Sequence, residues 1–90
     1  MPERTAIIGS AVGLHARPAA LFVQAAATQP VAVRIAKPGG QSVPARSILS
    51  VLALEAHGGD AVVLSAEGEG ADAVLDELAA LLATDLDAAE

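Results

Sequence analysis

Hydrophobic and polar positions fall into short blocks along this chain, and the spacing changes from block to block. Arg4 to Ile8 is a β-prone run closed by Gly9-Ser10, which predicts a first strand. Ala11-Val12-Gly13-Leu14 breaks that pattern as a loop. From His15 onward Ala19, Phe22, Val23 and Ala26 recur at the spacing of one helical face. Thr28-Gln29-Pro30 ends this helix, because the residue before a proline avoids helical dihedrals. Val31, Val33 and Ile35 then alternate with Ala32, Arg34 and Ala36, the period-two pattern of a half-buried strand. After the turn Lys37-Pro38-Gly39-Gly40, the segment Gln41 to Ala45 returns as a third strand. Pro44 lacks an amide donor, which suits an edge.

Ser47 reads as the N-cap of a short helix carrying Ile48, Leu49, Val51, Leu52 and Leu54. Gly58-Gly59-Asp60 breaks the chain, and Ala61 to Ala66 predicts the fourth strand. The last helix is the plainest, running from Ala71 to about Leu82 with Ala71, Val74, Leu75, Leu78 and Leu82 on one face. Asp72, Asp76 and Glu77 lie on the other face, and the acids near the start complement the helix dipole. The tail from Ala83 to Glu90 is expected to fray. The order is β-α-β-β-α-β-α over residues 1–90, without repeat or linker, so a single domain is expected. Helices segregated to one face of an antiparallel sheet give an α+β, open-faced sandwich of four strands and three helices.

Composition narrows the function classes. Five Lys plus Arg against eleven Asp plus Glu leave a formal charge of −6, which argues against a nucleic-acid scaffold. The chain has no cysteine, so disulfides, thiolate metal sites and thiol nucleophiles are excluded. The hydrophobic share is 53%, but its excess is alanine spread along the chain, with no apolar run long enough for a membrane span. Met1-Pro2-Glu3-Arg4 has no basic start followed by a long apolar stretch, so no signal peptide is expected and a cytoplasmic location is.

Chemistry concentrates in Gly13-Leu14-His15-Ala16-Arg17-Pro18-Ala19-Ala20. If a helix begins just after His15, the amides of Ala16 and Arg17 have no acceptor within it and form an anion site. Pro18 suits the first turn, where its missing donor costs nothing. Gly13 permits the backbone turn before the histidine. Arg17 adds a planar fork of donors suited to phosphate oxygens. The positive helix end and Arg17 disfavour a protonated ring, so a neutral, nucleophilic imidazole is expected at His15. The same charges stabilise a phosphoryl group once it is attached. A lone histidine at a helix start is ordinarily only a surface or capping residue, so physics alone leaves both readings open. His57, beside Gly58-Gly59, reads as an exposed loop residue. A His15–His57 metal site lacks the usual three or four ligands, and no metal or cofactor is expected.

The segment from Gly13 to Ala20 resembles the active-site signature of the HPr family, the histidine-containing phosphocarriers of the phosphoenolpyruvate:sugar phosphotransferase system. Arg46 to Leu54 (RSILSVLAL) resembles the regulatory-serine helix of the same family, and the order of elements fits as well. The resemblance spans nearly the whole chain. It implies that His15 accepts a phosphoryl group on Nδ1 from phosphorylated Enzyme I and passes it to a sugar-specific Enzyme IIA. Arg17 and the amides of Ala16 and Arg17 would hold the phosphate. Ser47 matches the serine modified by an HPr kinase/phosphorylase in some bacteria. A phosphate at that N-cap would suit the helix and repel an acidic partner. Ile48, Leu49 and Leu52 would form the apolar patch that partners cover, and the carrier is expected to act as a monomer. Several family members place Lys or Arg where this chain has Gln24, Ala27 and Ser50, so electrostatic steering toward an acidic Enzyme I is expected to be weaker.

Two other classes compete. One is an anion- or partner-binding regulatory module in which the helix end at His15 holds a ligand without transferring phosphate. The other is a free-standing enzyme using His15 as general base. It lacks a second base or paired carboxylate near His15 in sequence, and a chain of 90 residues encloses little volume to exclude water. A carrier escapes that limit because its partner completes the site.

Overall fold

The computed structural model describes residues 2–10 and 13–84. Its elements are β1 (Glu3–Ile7), α1 (Ala16–Ala27), β2 (Val33–Ala36), β3 (Val43–Pro44), α2 (Ile48–Ala53), β4 (Ala61–Ala66) and α3 (Ala71–Ala83). The strands form one antiparallel sheet in the order β1-β4-β2-β3. The expected architecture and element order are therefore present, with β4 and α3 within a residue of their predicted bounds.

Register explains the core. Ala6 stands opposite Val62, Ile35 opposite Leu64, and Val33 opposite Ala66, so these side chains share the inner face. Above them pack Ala19 and Phe22 of α1, Val51 of α2, and Leu75, Leu78 and Leu82 of α3, all essentially sealed from solvent. Phe22, the chain's single phenylalanine, is fully buried beneath the helix layer. Arg4 falls on an inner-face row beside Leu64, but at the sheet edge. Its guanidinium Nε donates to Asp76 Oδ1 at 2.7 Å, with Asp72 Oδ1 at 3.7 Å, tying β1 to α3. Such an exposed pair adds roughly 0–1 kcal/mol, so it orients the helix more than it stabilises the fold.

Several bounds differ from the sequence expectations. The first strand is Glu3–Ile7 rather than Arg4 to Ile8, although the Ile8 amide still donates to the Asp60 carbonyl at 2.9 Å. The second strand begins at Val33, leaving Val31 partly buried against the core without strand pairing. The third shrinks from Gln41–Ala45 to Val43–Pro44, at the sheet edge as its proline requires. Ser42, expected in that strand, is held instead by Arg34, whose Nε donates to Ser42 Oγ and whose Nη2 donates to the Ser42 carbonyl, both at 2.9 Å. The expected α2 is cut back at its end to Ala53. The loop residues Ala11 and Val12 and the tail beyond Thr84 lie outside the described residues.

Candidate functional site

The loop leading into α1 is set by two buried residues. Gly13 has φ +76°, a conformation open to glycine at little cost. A Cβ there would also collide with the Ala56 carbonyl and stand 2.7 Å from His57 Cα, so glycine is required twice over. Leu14 is 3% exposed and its amide donates to the Ala56 carbonyl at 2.9 Å. The chain then emerges: His15, Ala16 and Arg17 are exposed, while Pro18 and Ala19 sink back into the core.

His15 is the N-cap of α1, with extended dihedrals of −129° and 150°. Its side chain makes no capping hydrogen bond, so the helix does not engage the imidazole. Its carbonyl accepts a long first-turn bond from the Ala19 amide at 3.5 Å. Ala16 follows with φ +39°, a conformation that costs a non-glycine residue about 1–3 kcal/mol and persists because Leu14 and Ala19 anchor both sides. Among the described residues no acceptor takes the Ala16 amide, and the first turn of α1 contains no carboxylate. The positive end of this helix of 12 residues therefore faces outward beside the exposed His15 and Arg17. His15, the Ala16 amide and Arg17 thus lie together on one short exposed segment.

Ser47 caps α2, as its sequence predicts, but loosely: Oγ accepts from the Ser50 amide at 3.4 Å. The apolar residues of α2 divide by side. Val51 is fully buried, Leu52 is partly buried and packs on the core, and Ile48 and Leu49 are 38% and 77% exposed. Of the three residues expected in a partner patch, Ile48 and Leu49 carry the open apolar surface and Leu52 only borders it. Helices α1 and α2 pack against each other, which places this patch on the same helical layer as the His15 segment.

Sequence reasoning missed the exposed Ile7 of β1 and the part played by the turn at 56–60. His57 is exposed as expected, but it is not isolated. Its amide donates to Asp60 Oδ2 at 2.9 Å, and its Nδ1 lies 3.5 Å from the same oxygen. The available signal was the aspartate three residues after His57, one of the short spacings at which an Asp side chain bonds to nearby backbone. A depression of about 440 Å³, lined by Arg34, Pro44, Arg46, Ser65 and Glu67 among others, lies over the strands and includes none of the residues from His15 to Arg17. His15 thus lies on open surface outside that depression. No helix among the described residues is long and apolar enough to cross a membrane.

The chain is also similar to known proteins. Residues 2–84 match the family model described as the PTS HPr component phosphorylation site. The chain is 51% identical over 87 residues to the phosphocarrier protein HPr of Streptomyces coelicolor, covering 97% of this chain and 94% of that protein. Among solved structures it is similar to an HPr from Thermoanaerobacter tengcongensis, at 37% identity and a TM-score of 0.86 over 97% of each chain. It also resembles a structure described as an HPr dimer from the same organism, at 40% identity and a TM-score of 0.66, covering 90% of this chain and 92% of that one.

Proposed function

The chain belongs to the HPr family of phosphocarriers, and from that premise we propose that His15 is its phosphoryl acceptor, charged by phosphorylated Enzyme I and discharged to a sugar-specific Enzyme IIA. One observation carries the reading most directly. His15 is exposed at the N-cap of α1 with its side chain outside the cap, at a helix whose first turn holds no carboxylate and whose Ala16 amide meets no acceptor among the described residues.

The chemistry follows from that arrangement. The Nδ1 lone pair attacks phosphorus, an N–P bond forms, and the bond between phosphorus and the donor breaks, leaving the electron pair on the donor. The Ala16 and Arg17 amides and the Arg17 guanidinium then face the new phosphoryl oxygens, where hydrogen bonds to charged groups contribute about 1.5–3 kcal/mol each. Discharge reverses the step with Enzyme IIA as acceptor. Each chain takes up one phosphoryl group and gives up one, so it is the substrate of the first transfer and the donor of the second and acts stoichiometrically. Ile48 and Leu49 supply the apolar contact for docking, and Ser47 is the regulatory position for a kinase where the host has one. A monomer suits this cycle, because His15 must be open to each partner in turn. Sedimentation at working concentration tests that point against the dimer described for a relative.

The direct test is reconstitution with phosphoenolpyruvate, Enzyme I and candidate Enzyme IIA proteins, following labelled phosphate. The reading expects label on this chain first and on an Enzyme IIA afterwards. Binding to Enzyme I without any transfer of label would replace it with a regulatory binding module.

A further inference from the structure

Residues 56–60 are stitched to both flanks of the segment that precedes His15. On the incoming flank the Ile8 amide donates to the Asp60 carbonyl and the Gly59 amide donates to the Ile8 carbonyl, each at 2.9 Å. On the outgoing flank the Leu14 amide donates to the Ala56 carbonyl at 2.9 Å, and Gly13 lies against the backbone of Ala56 and His57. The chain therefore meets the same turn on entering the loop and on leaving it, one residue before His15.

Asp60 closes that turn. Its Oδ2 accepts from the His57 amide at 2.9 Å, and its own amide donates to the His57 carbonyl at 3.0 Å. The two bonds fix the orientation of the 57–60 peptides, and with it the neighbouring Ala56 carbonyl that Leu14 requires. The imidazole of His57 is a lesser participant, 76% exposed and 3.5 Å from the carboxylate. The bond from the His57 amide, aided by the charges of His57 and Lys37, holds the Asp60 carboxyl below its ordinary range, so it is ionised at neutral pH.

We propose that Asp60 is a positioning residue for His15, acting by closing the 56–60 turn whose Ala56 carbonyl anchors Leu14 beside the phosphoryl acceptor. The inference rests on the reading of His15 as that acceptor. It gives the two histidines different tasks: His15 would carry phosphate on its ring, and His57 would contribute a backbone amide while its ring is dispensable.

Four proteins test this: the full chain and its Asp60→Ala, Asp60→Asn and His57→Ala variants. The first readout is hydrogen exchange at the Leu14 amide, and the second is kcat and KM for phosphorylation by Enzyme I and phosphoenolpyruvate. In Asp60→Ala, Leu14 should exchange about tenfold faster and kcat should fall about tenfold, with KM for the carrier changed by less than about twofold. Asp60→Asn keeps an oxygen that accepts from the His57 amide, so it should recover most of both losses. His57→Ala keeps the amide and should behave as the parent. Unchanged Leu14 exchange in Asp60→Ala overturns the proposal, as does equal impairment of the Ala and Asn variants, or His57→Ala as impaired as Asp60→Ala. If the parent chain takes no phosphate, the phosphocarrier reading fails, while Leu14 exchange still decides whether Asp60 sets the loop.

Discussion

Arg17, Gly13 and Glu55 each answer to a different physical demand. Arg17 follows His15 on exposed surface, and its proposed task depends on a planar fork rather than on charge alone. Arg17→Lys is therefore expected to slow phosphorylation by Enzyme I roughly 10–150-fold without loss of fold, the equivalent of one charge-assisted contact felt at the transition state. Stopped-flow or quench kinetics on the variant would measure it. Gly13→Ala meets both a positive φ and the Ala56–His57 backbone, so it should cost more than about 2 kcal/mol in urea unfolding. Glu55 shows the opposite case. It follows α2 with φ +53°, where a side chain costs about 1–2 kcal/mol and glycine nearly nothing. Glu55→Gly should raise stability by about 1 kcal/mol, read from the same unfolding curves.

Among the elements, α2 divides exposed from buried apolar side chains within a single turn. Leu49 is 77% exposed and Val51 is fully buried, although they are two residues apart. Leu49→Glu should weaken Enzyme I binding in calorimetry while leaving the unfolding midpoint nearly unchanged. Val51→Ala should do the reverse, costing about 2–3 kcal/mol through lost packing. If Leu49→Glu binds Enzyme I like the parent, the docking surface drawn on α2 is wrong. Ser47→Asp places charge at the rim of that surface but also suits an N-cap, so binding should fall without loss of the helix. The long amphipathic helices were legible because a repeating apolar stripe overrides local noise, as in Ala71 to Leu82. The third strand is shorter than expected because a turn followed by a returning segment does not tell pairing from mere extension. Pro44 has no amide to give, and Ser42 is held by the Arg34 side chain instead. Ile7 is exposed because it alternates with the buried Ala6 and Ile8 and so faces the side of the sheet away from the core, and which side that is depends on where the helices pack.

At the scale of the whole molecule, the contacts that set the site are long-range. Gly13 and Leu14 were readable as a turn before a helix, but nothing local says that they meet Ala56 and His57. The motif residues were legible, and the turn that holds them was not. Acid stability reports on the same turn. The His57 amide is the main cause that holds the Asp60 carboxyl below 3.8, burial opposes it, and the charges of His57 and Lys37 assist. The folded chain thus binds this proton less readily than the unfolded one. The contribution is present above the ordinary carboxylate range and is lost as pH falls through the lowered value. Asp60→Asn should therefore lose less stability than the parent on acidification below about pH 4, measured as urea midpoints across that range. An unchanged acid profile would mean that Asp60 does not titrate against the turn.

The proposed acceptor is a single group, the exposed imidazole at the start of α1. Its most direct test is to incubate the parent chain, His15→Ala and His57→Ala with phosphoenolpyruvate and Enzyme I, and to follow intact mass. One acid-labile, base-stable phosphoryl group is expected on the parent and on His57→Ala, and none on His15→Ala. Phosphate that persists in His15→Ala, or that disappears only in His57→Ala, would contradict the account.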